Sequence, residues 1–281
     1  KKFPSPSRGG LGWGWGLSAI ALLFMLYPVF VFALPEGGVV TAGDVVINQS
    51  NGTTLGIVQS TDRAIINWNQ FNIAANEQVN FAQPASSSVT LNRITGGDPS
   101  AILGSLTANG SIFLVNPNGV FFGPTATVDV GSLIATTIDI PDGDFLAGSN
   151  YFNETGSGAG FVTNQGNIKV SDGGFVFFIA PSGIINQSGI IEAKSLVDEG
   201  GTIRLVAETI LHSGTSDVSA KDGWGNGGEI LLFGKETEFT GTLFARGGAE
   251  RGNGGAVEVS GSERLQFDGF VDASAKNGIA G

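Results

Sequence analysis

The chain contains no cysteine, which excludes disulfide staples and thiol chemistry and suits a protein that stays unfolded while crossing an envelope. Charge is also scarce, at 14% of residues, and the one strong cationic cluster is Lys1, Lys2 and Arg8. Residues 34–281 therefore hold 11 basic against 25 acidic side chains, a net charge of −14, and neither nucleic acid nor an anionic membrane finds electrostatic support. The single histidine, His212, has no metal-ligand or nucleophile pattern around it and reads as an ordinary coil residue. No cofactor is expected. Asp139, Asp142 and Asp144 miss the spacing and closing Glu of a calcium loop and read as a solvated loop. Asn48, Asn51, Asn109, Asn153 and Asn186 open N-x-[ST] triplets that an Asn- and Ser-rich chain produces by coincidence.

What is abundant is glycine, 45 residues, with 41% apolar content. That composition fits many tight turns around one large core better than a helical domain. Residues 1–33 pass from the basic start through an apolar run, Leu17 to Phe32, to Val31-Phe32-Ala33, which predicts a signal peptide cut after Ala33. The run is short, is interrupted by Pro28 and lacks a basic far flank, unlike a membrane anchor. Because the chain does not begin with Met, a piece of a longer reading frame is expected.

Further on, Val45-Val46-Ile47 and Leu55-Gly56-Ile57-Val58 flank Asn51-Gly52, a hairpin signal, and the stretch from Val39 to Val58 is expected to cap the rest of the chain. Asn67, Asn69 and Asn72 lie among Ile65, Ile66, Trp68, Phe71 and Ile73, where partly buried amides need ladder or cap partners. Asp98-Pro99-Ser100 suggests one helical turn through Ile102 and Leu103, since proline suits a first helical position. Ser111 to Val115 and Val120 to Phe122 are apolar runs joined by Asn116-Pro117-Asn118-Gly119, a strong turn signal. Residues 141–160 read as a loop or an excursion.

The most regular signal is a 27-residue period: Gly173-Gly174, Gly200-Gly201, Gly227-Gly228 and Gly254-Gly255. At fixed places within each unit stand Val176, Ile203, Ile230 and Val257, then Phe178, Leu205, Leu232 and Val259, then Ala180, Ala207, Gly234 and Gly261. This alternation marks one buried strand face per unit. A second apolar group is expected near Ala193-Lys194, Ala220-Lys221, Ala245-Arg246 and Ala275-Lys276. Such a period with β-rich composition predicts a solenoid of stacked β-coils, like residues above like residues.

Arg63-Ala64-Ile65-Ile66-Asn67-Trp68, Phe71-Asn72-Ile73, Leu91 to Ser100, Ile102-Leu103-Gly104 and Phe113 to Gly119, in that order, resemble the N-terminal secretion domain of two-partner secretion exoproteins of the filamentous haemagglutinin and haemolysin type. The resemblance covers roughly residues 34–180, with the 27-residue repeats of 173–281 continuing the same solenoid. It implies an all-β, right-handed parallel β-helix with an N-terminal β-cap and small extra-helical antiparallel hairpins. It also implies an export signal, recognised unfolded after Sec passage by the POTRA-type periplasmic domains of an outer-membrane β-barrel transporter. The family's secretion motif maps onto Asn116, Pro117, Asn118 and Gly119, with Asn67, Asn69 and Asn72 as supporting cap or ladder residues. A second motif that some members carry is absent, the corresponding stretch reading Ala82-Gln83-Pro84-Ala85.

The implied protein is monomeric and non-catalytic, secreted or held at the cell surface of a Gram-negative bacterium, with adhesion to a host-cell or surface ligand as its usual later role. The competing class is an extracellular β-helix polysaccharide lyase or hydrolase. Such enzymes group carboxylates with Arg or Lys on one coil face, and the basic residues from Arg63 to Lys276 show no recurring group of that kind.

Overall fold

The computed structural model describes residues 34–49, 51–149, 152, 159–195 and 200–281. The predicted signal peptide lies outside the described residues. Among these residues no helix is long and apolar enough to cross a membrane.

Short strands separated by tight turns wind into a parallel β-helix with three faces. The first face stacks Arg63–Trp68, Val89–Ile94, Ser111–Val115, Ser132–Thr136 and the leading halves of Phe175–Gln187, Thr202–His212, Glu229–Phe239 and Ala256–Phe267. The second stacks Ser100–Ile102, Val120–Phe122, Phe161–Asn164 and the trailing halves of the same long strands. The third runs from Thr54–Gln59 through Gln78–Ala82, Ser105–Ala108, Thr127–Val130, Asn167–Val170, Ile190–Glu192, Thr215–Asp217 and Thr242–Phe244 to Phe270–Asp272. All these pairings are parallel, so each coil buries its inward side chains on those of its neighbours.

The predicted ladder is present: Val176 pairs with Ile203, Ile203 with Ile230 and Ile230 with Val257, and Leu133 extends it one coil earlier. Glycine recurs with it because adjacent coils approach too closely for a side chain. A Cβ built on Gly228 would overlap the carbonyl oxygen of Gly201.

Two expectations are corrected. Ser100–Ile102 is a buried strand paired with Val120–Phe122, not a helical turn. A turn there would leave the second face without its first rung, and Pro99 precedes a strand as readily as it opens a helix. The second apolar column is also displaced. The backbone amides of Ala193, Val218 and Ala245 donate to the carbonyls of Asp217, Phe244 and Asp272, whereas Ala220 lies opposite Ser195. The cause is a bulge between Ala180 and Ile184, which shifts the register by two residues: Ala180 pairs with Ala207 but Ile184 with Thr209.

At the N-terminal end, Val39–Ala42 lies antiparallel on Arg63–Trp68, and Val45–Gln49 forms the Asn51-Gly52 hairpin with Thr54–Gln59. Asn51 closes the loop by accepting the Thr53 amide at 3.3 Å, and Gly52 takes φ +77°. These two strands occupy edges that would otherwise be open to intermolecular pairing.

Candidate functional site

Asn116 to Gly119 forms the corner between the first and second faces. Its geometry follows from a length mismatch with the coil below. Arg93 stacks on Val115 and Ser100 on Val120, so the lower corner, residues 94–99, is two residues longer than the upper one, residues 116–119. Extra corner residues leave carbonyls outside the backbone ladder, where they need other donors. The two asparagines supply them. Asn116 Nδ2 donates to the Asp98 carbonyl at 3.1 Å and to Ser100 Oγ at 3.0 Å, and Asn118 Nδ2 donates to the Gly96 carbonyl at 3.0 Å.

The corner is also closed internally and tied to both neighbouring coils. Asn116 Oδ1 accepts the Asn118 amide at 3.0 Å, and the Gly119 amide donates to the Asn116 carbonyl at 3.0 Å. Upward, the Asn116 amide donates to the Thr136 carbonyl at 2.9 Å; downward, the Ser100 amide donates to the Gly119 carbonyl at 3.0 Å. Gly119 has φ +123°, where a side chain is strained, and a Cβ there would press on Phe161. Asn116 and Gly119 are buried, Asn118 is half-buried and Pro117 is exposed.

The structure separates the three earlier asparagines. Asn72 is buried and its Oδ1 accepts the Ala101 amide at 2.8 Å, joining two coils. Asn67 sits half-buried beneath the cap strand, opposite Val39, and accepts from Arg93 Nη1 at 3.4 Å. Asn69 is exposed, and its backbone amide donates to the Glu36 carbonyl at 3.0 Å. These hydrogen bonds place all three in the cap and first coils, apart from the Asn116 corner.

Sequence reasoning missed a second apolar cluster on the outside of the first face. Ile65, Leu91, Phe113 and Ile134 stack in register there and are buried beneath Ile138, Ile140, Phe145 and Phe152. The excursion thus folds back over the coils, through the short helix Asp142–Leu146. Two arginines of the sheet fasten it. Arg63 Nη1 donates to the Phe145 carbonyl at 2.7 Å, with its guanidinium 4.7 Å from the Phe145 ring centre, and burial lowers its pKa. Arg93 pairs with Asp139 at 2.8 Å and with Asp142 at 2.8 Å, and donates to the Ile140 carbonyl at 2.9 Å. Burial alone would lower the Arg93 pKa, but the two carboxylates outweigh it and raise it. Asp139 and Asp142 are therefore ion-pair partners, a correction to the solvated-loop reading.

Other polar side chains also act between coils. Gln83 accepts the Gly110 amide at 2.9 Å and donates to Thr90 Oγ1 at 3.1 Å. Asn92 sits fully buried in the inward ladder between Ile66 and Leu114 and accepts the Trp68 indole N–H at 3.0 Å. Lys194 bridges Glu192 at 2.8 Å and Asp217 at 3.0 Å. Burial lowers its pKa, yet the hydrogen bonds and charges of the two carboxylates prevail and raise it. His212 faces the core. Its Nε2 lies 2.9 Å from Ser216 Oγ, its Nδ1 has no hydrogen-bond partner, and burial lowers its pKa to about 4. Among the described residues no group of three or more His, Cys, Asp or Glu is placed to hold a metal ion.

Comparison with known proteins places this architecture. The TPS secretion domain family matches residues 32–258. A heme/hemopexin-binding protein of Haemophilus influenzae is 38% identical over 168 residues, 58% of this chain but 16% of that protein. Another protein of the same description and organism is 42% identical over 98 residues, 35% of this chain and 11% of the relative. The crystal structure of the HMW1 secretion domain from Haemophilus influenzae aligns over 87% of this chain and 99% of its own, at 22% identity and a TM-score of 0.47. The chain thus spans less than a fifth of the length of those curated relatives. The family match covers most of the sequence and contains the cap, the asparagine corner and the excursion, so this chain belongs to the TPS, or two-partner secretion, secretion domain family.

Proposed function

We propose that this domain addresses a larger exoprotein to its own outer-membrane β-barrel transporter, and that Asn116, Pro117, Asn118 and Gly119 form part of the address. The observation that carries the reading is where the two asparagine amides go. In the folded domain Asn116 is buried, and the amide nitrogens bond to Asp98, Ser100 and Gly96. A partner that reads these side chains must therefore meet the chain before it folds. POTRA-type periplasmic domains of the barrel are the reader that fits, and coil formation at the surface withdraws the motif from them. Residues 1–33 act as the Sec signal, 34–180 hold the address, and the repeats of 173–281 extend the same solenoid.

The TPS secretion domain family is not an enzyme family, and this chain is read as non-catalytic. Among the basic residues that meet carboxylates in the later coils, Lys235 with Glu208 and Arg264 with Glu236 tie consecutive coils together on an exposed surface, while Lys194 pairs with Glu192 and Asp217, Lys221 with Asp172 and Arg246 with Asp272. The mature protein is read as secreted or surface-associated, with adhesion to a host-cell or surface ligand. The heme and hemopexin in the relatives' descriptions belong to those proteins, of which the matches cover 16% and 11%. The only histidine here is buried on Ser216 and there is no cysteine, so neither side chain is exposed to ligate a heme iron.

The test is Asn118→Ala in the 281-residue chain, co-expressed with the partner barrel. The variant removes two hydrogen bonds of a half-buried side chain, to the Gly96 carbonyl at 3.0 Å and to Asn116 Oδ1 at 3.4 Å, a cost of about 1–2 kcal/mol that is too little to unfold the domain. Secretion should fall at least fivefold while the purified variant still folds. Undiminished secretion of a normally folded variant overturns the assignment.

A further inference from the structure

Trp224 is out of place in this molecule. Trp68 is 1% exposed and inside the coil, whereas Trp224 is 57% exposed, on the loop that closes a coil after the third face. An indole left in water costs apolar burial, so its surroundings decide what it could gain. Trp224 pairs with Arg251 one coil further on, 27 residues later, so the ring and the guanidinium arise from stacked positions on one edge. Asn226 and Asn253 repeat at the same interval. Together with Asn277 they line a groove of about 480 Å³, within the range of about 300–1,000 Å³ that small ligands occupy.

The groove is rigid although it is built from loops. Gly225 donates to the Arg251 carbonyl at 3.0 Å, Arg251 to the Gly223 carbonyl at 3.0 Å and Gly227 to the Asn253 carbonyl at 2.9 Å. Asn226 Oδ1 accepts the Asn253 amide at 2.8 Å, and Asn253 Oδ1 accepts the Ile279 amide at 2.9 Å, which fixes the planes of both side-chain amides. Between them the floor is bare backbone. Gly225 and Gly252 have φ of +106° and +138°, and a Cβ on Gly252 would overlap the Gly225 carbonyl. Donors held by such a network lose little freedom on binding.

The lining defines the ligand chemistry. One open aromatic face stands among amides and a guanidinium, so an apolar ligand would desolvate polar groups without pairing them. A polyphosphate or nucleic acid would meet a single arginine in the groove of a chain of net charge −11. A pyranose satisfies the site, because its C–H face stacks on indole while its rim of hydroxyls pairs with amides and guanidinium. We propose that Trp224, Arg251, Asn226 and Asn253 form a glycan-binding site, with the sugar ring on the Trp224 indole. It gives a chemistry to the surface ligand proposed above, but it shares no residue with the asparagine corner. Failure of one reading leaves the other standing.

The test probes the full chain against a printed array of neutral and sialylated oligosaccharides, then titrates the strongest binder in solution while following tryptophan emission. At least one array glycan should bind with a change in emission. Affinity should drop tenfold or more in Trp224→Ala and in Arg251→Ala, and Trp224→Phe should recover part of it. Both residues are exposed, so far-UV spectra and protease resistance should match the wild type. No binding at millimolar glycan, or equal affinity in Trp224→Ala, overturns the proposal.

Discussion

Lowering the pH from 7 to 5 should remove about 2 kcal/mol of folding stability through His212 alone. The side chain is 1% exposed and points into the coil, 5.4 Å from the Phe239 ring, with Nε2 on Ser216 and Nδ1 without a partner. A protonated imidazole there would be a buried charge, and burial lowers the pKa from 6.5 to about 4. The unfolded chain keeps the ordinary value of about 6.5. Between these values the unfolded state binds more protons than the folded state, so stability rises with pH across that window. The contribution is complete above about pH 6.5 and is lost as the pH falls through 6.5 towards 4. Each pKa unit corresponds to about 1.36 kcal/mol, so the whole shift is on the order of 3 kcal/mol and the part lost by pH 5 is about 2. Urea unfolding at pH 7 and pH 5 measures it directly. His212→Gln keeps a polar side chain over Ser216 but cannot titrate, so its loss between the two pH values should be smaller by about 1 kcal/mol or more. Equal losses in wild type and variant would refute the reasoning.

Two further substitutions probe other parts of the fold. Arg93→Met removes both ion pairs and the Ile140 contact; because Asp139 and Asp142 are about half exposed, the cost should be only about 1–2 kcal/mol. The loss should appear as faster amide exchange in residues 138–149, and unchanged exchange there would show that the apolar contacts alone hold the excursion. Ile230→Asp places a charge in the ladder between Ile203 and Val257 and should cost at least ~4 kcal/mol, with protease cleavage in the surrounding coils. Retained protease resistance would mean that the coils do not stack in this register.

The inward ladders were legible in the sequence because equal coil lengths keep Val176, Ile203, Ile230 and Val257 at one spacing. The second column was not, since the bulge at residues 181–183 moves register between faces while leaving the period of the glycines unchanged. Ser100–Ile102 was ambiguous because a three-residue strand carries no periodicity, and only its partner strand decides it. The outer cluster had a signal that could have been read. Ser111–Val115 and Ser132–Thr136 are buried at every position, and a strand without apolar–polar alternation is covered on both faces. Phe175, Phe177 and Ile179 still pack half-buried against the cluster, and from Thr202 onward the strands alternate, consistent with an outer face left open. What covers the early strands was hidden in contacts such as Arg93 with Asp139 and Arg63 with Phe145, which no local pattern encodes.

The asparagine corner also shows why turn chemistry alone could not separate a structural role from a recognition role. In the later coils the first and second faces join within continuous strands, and backbone pairing continues from Ala180 to Ala207 and from Ile184 to Thr209 around a small bulge. At Asn116 the coil below has two extra corner residues, so the side-chain amides do what backbone amides do elsewhere. The same donors that hold the fold are thus available to a partner only while the chain is unfolded. If the transporter reads them, folding and recognition compete for the same hydrogen bonds. On that proposal, closure of the Asn116 coil at the cell surface would withdraw the motif from a periplasmic reader, and the folding free energy would bias the chain outward.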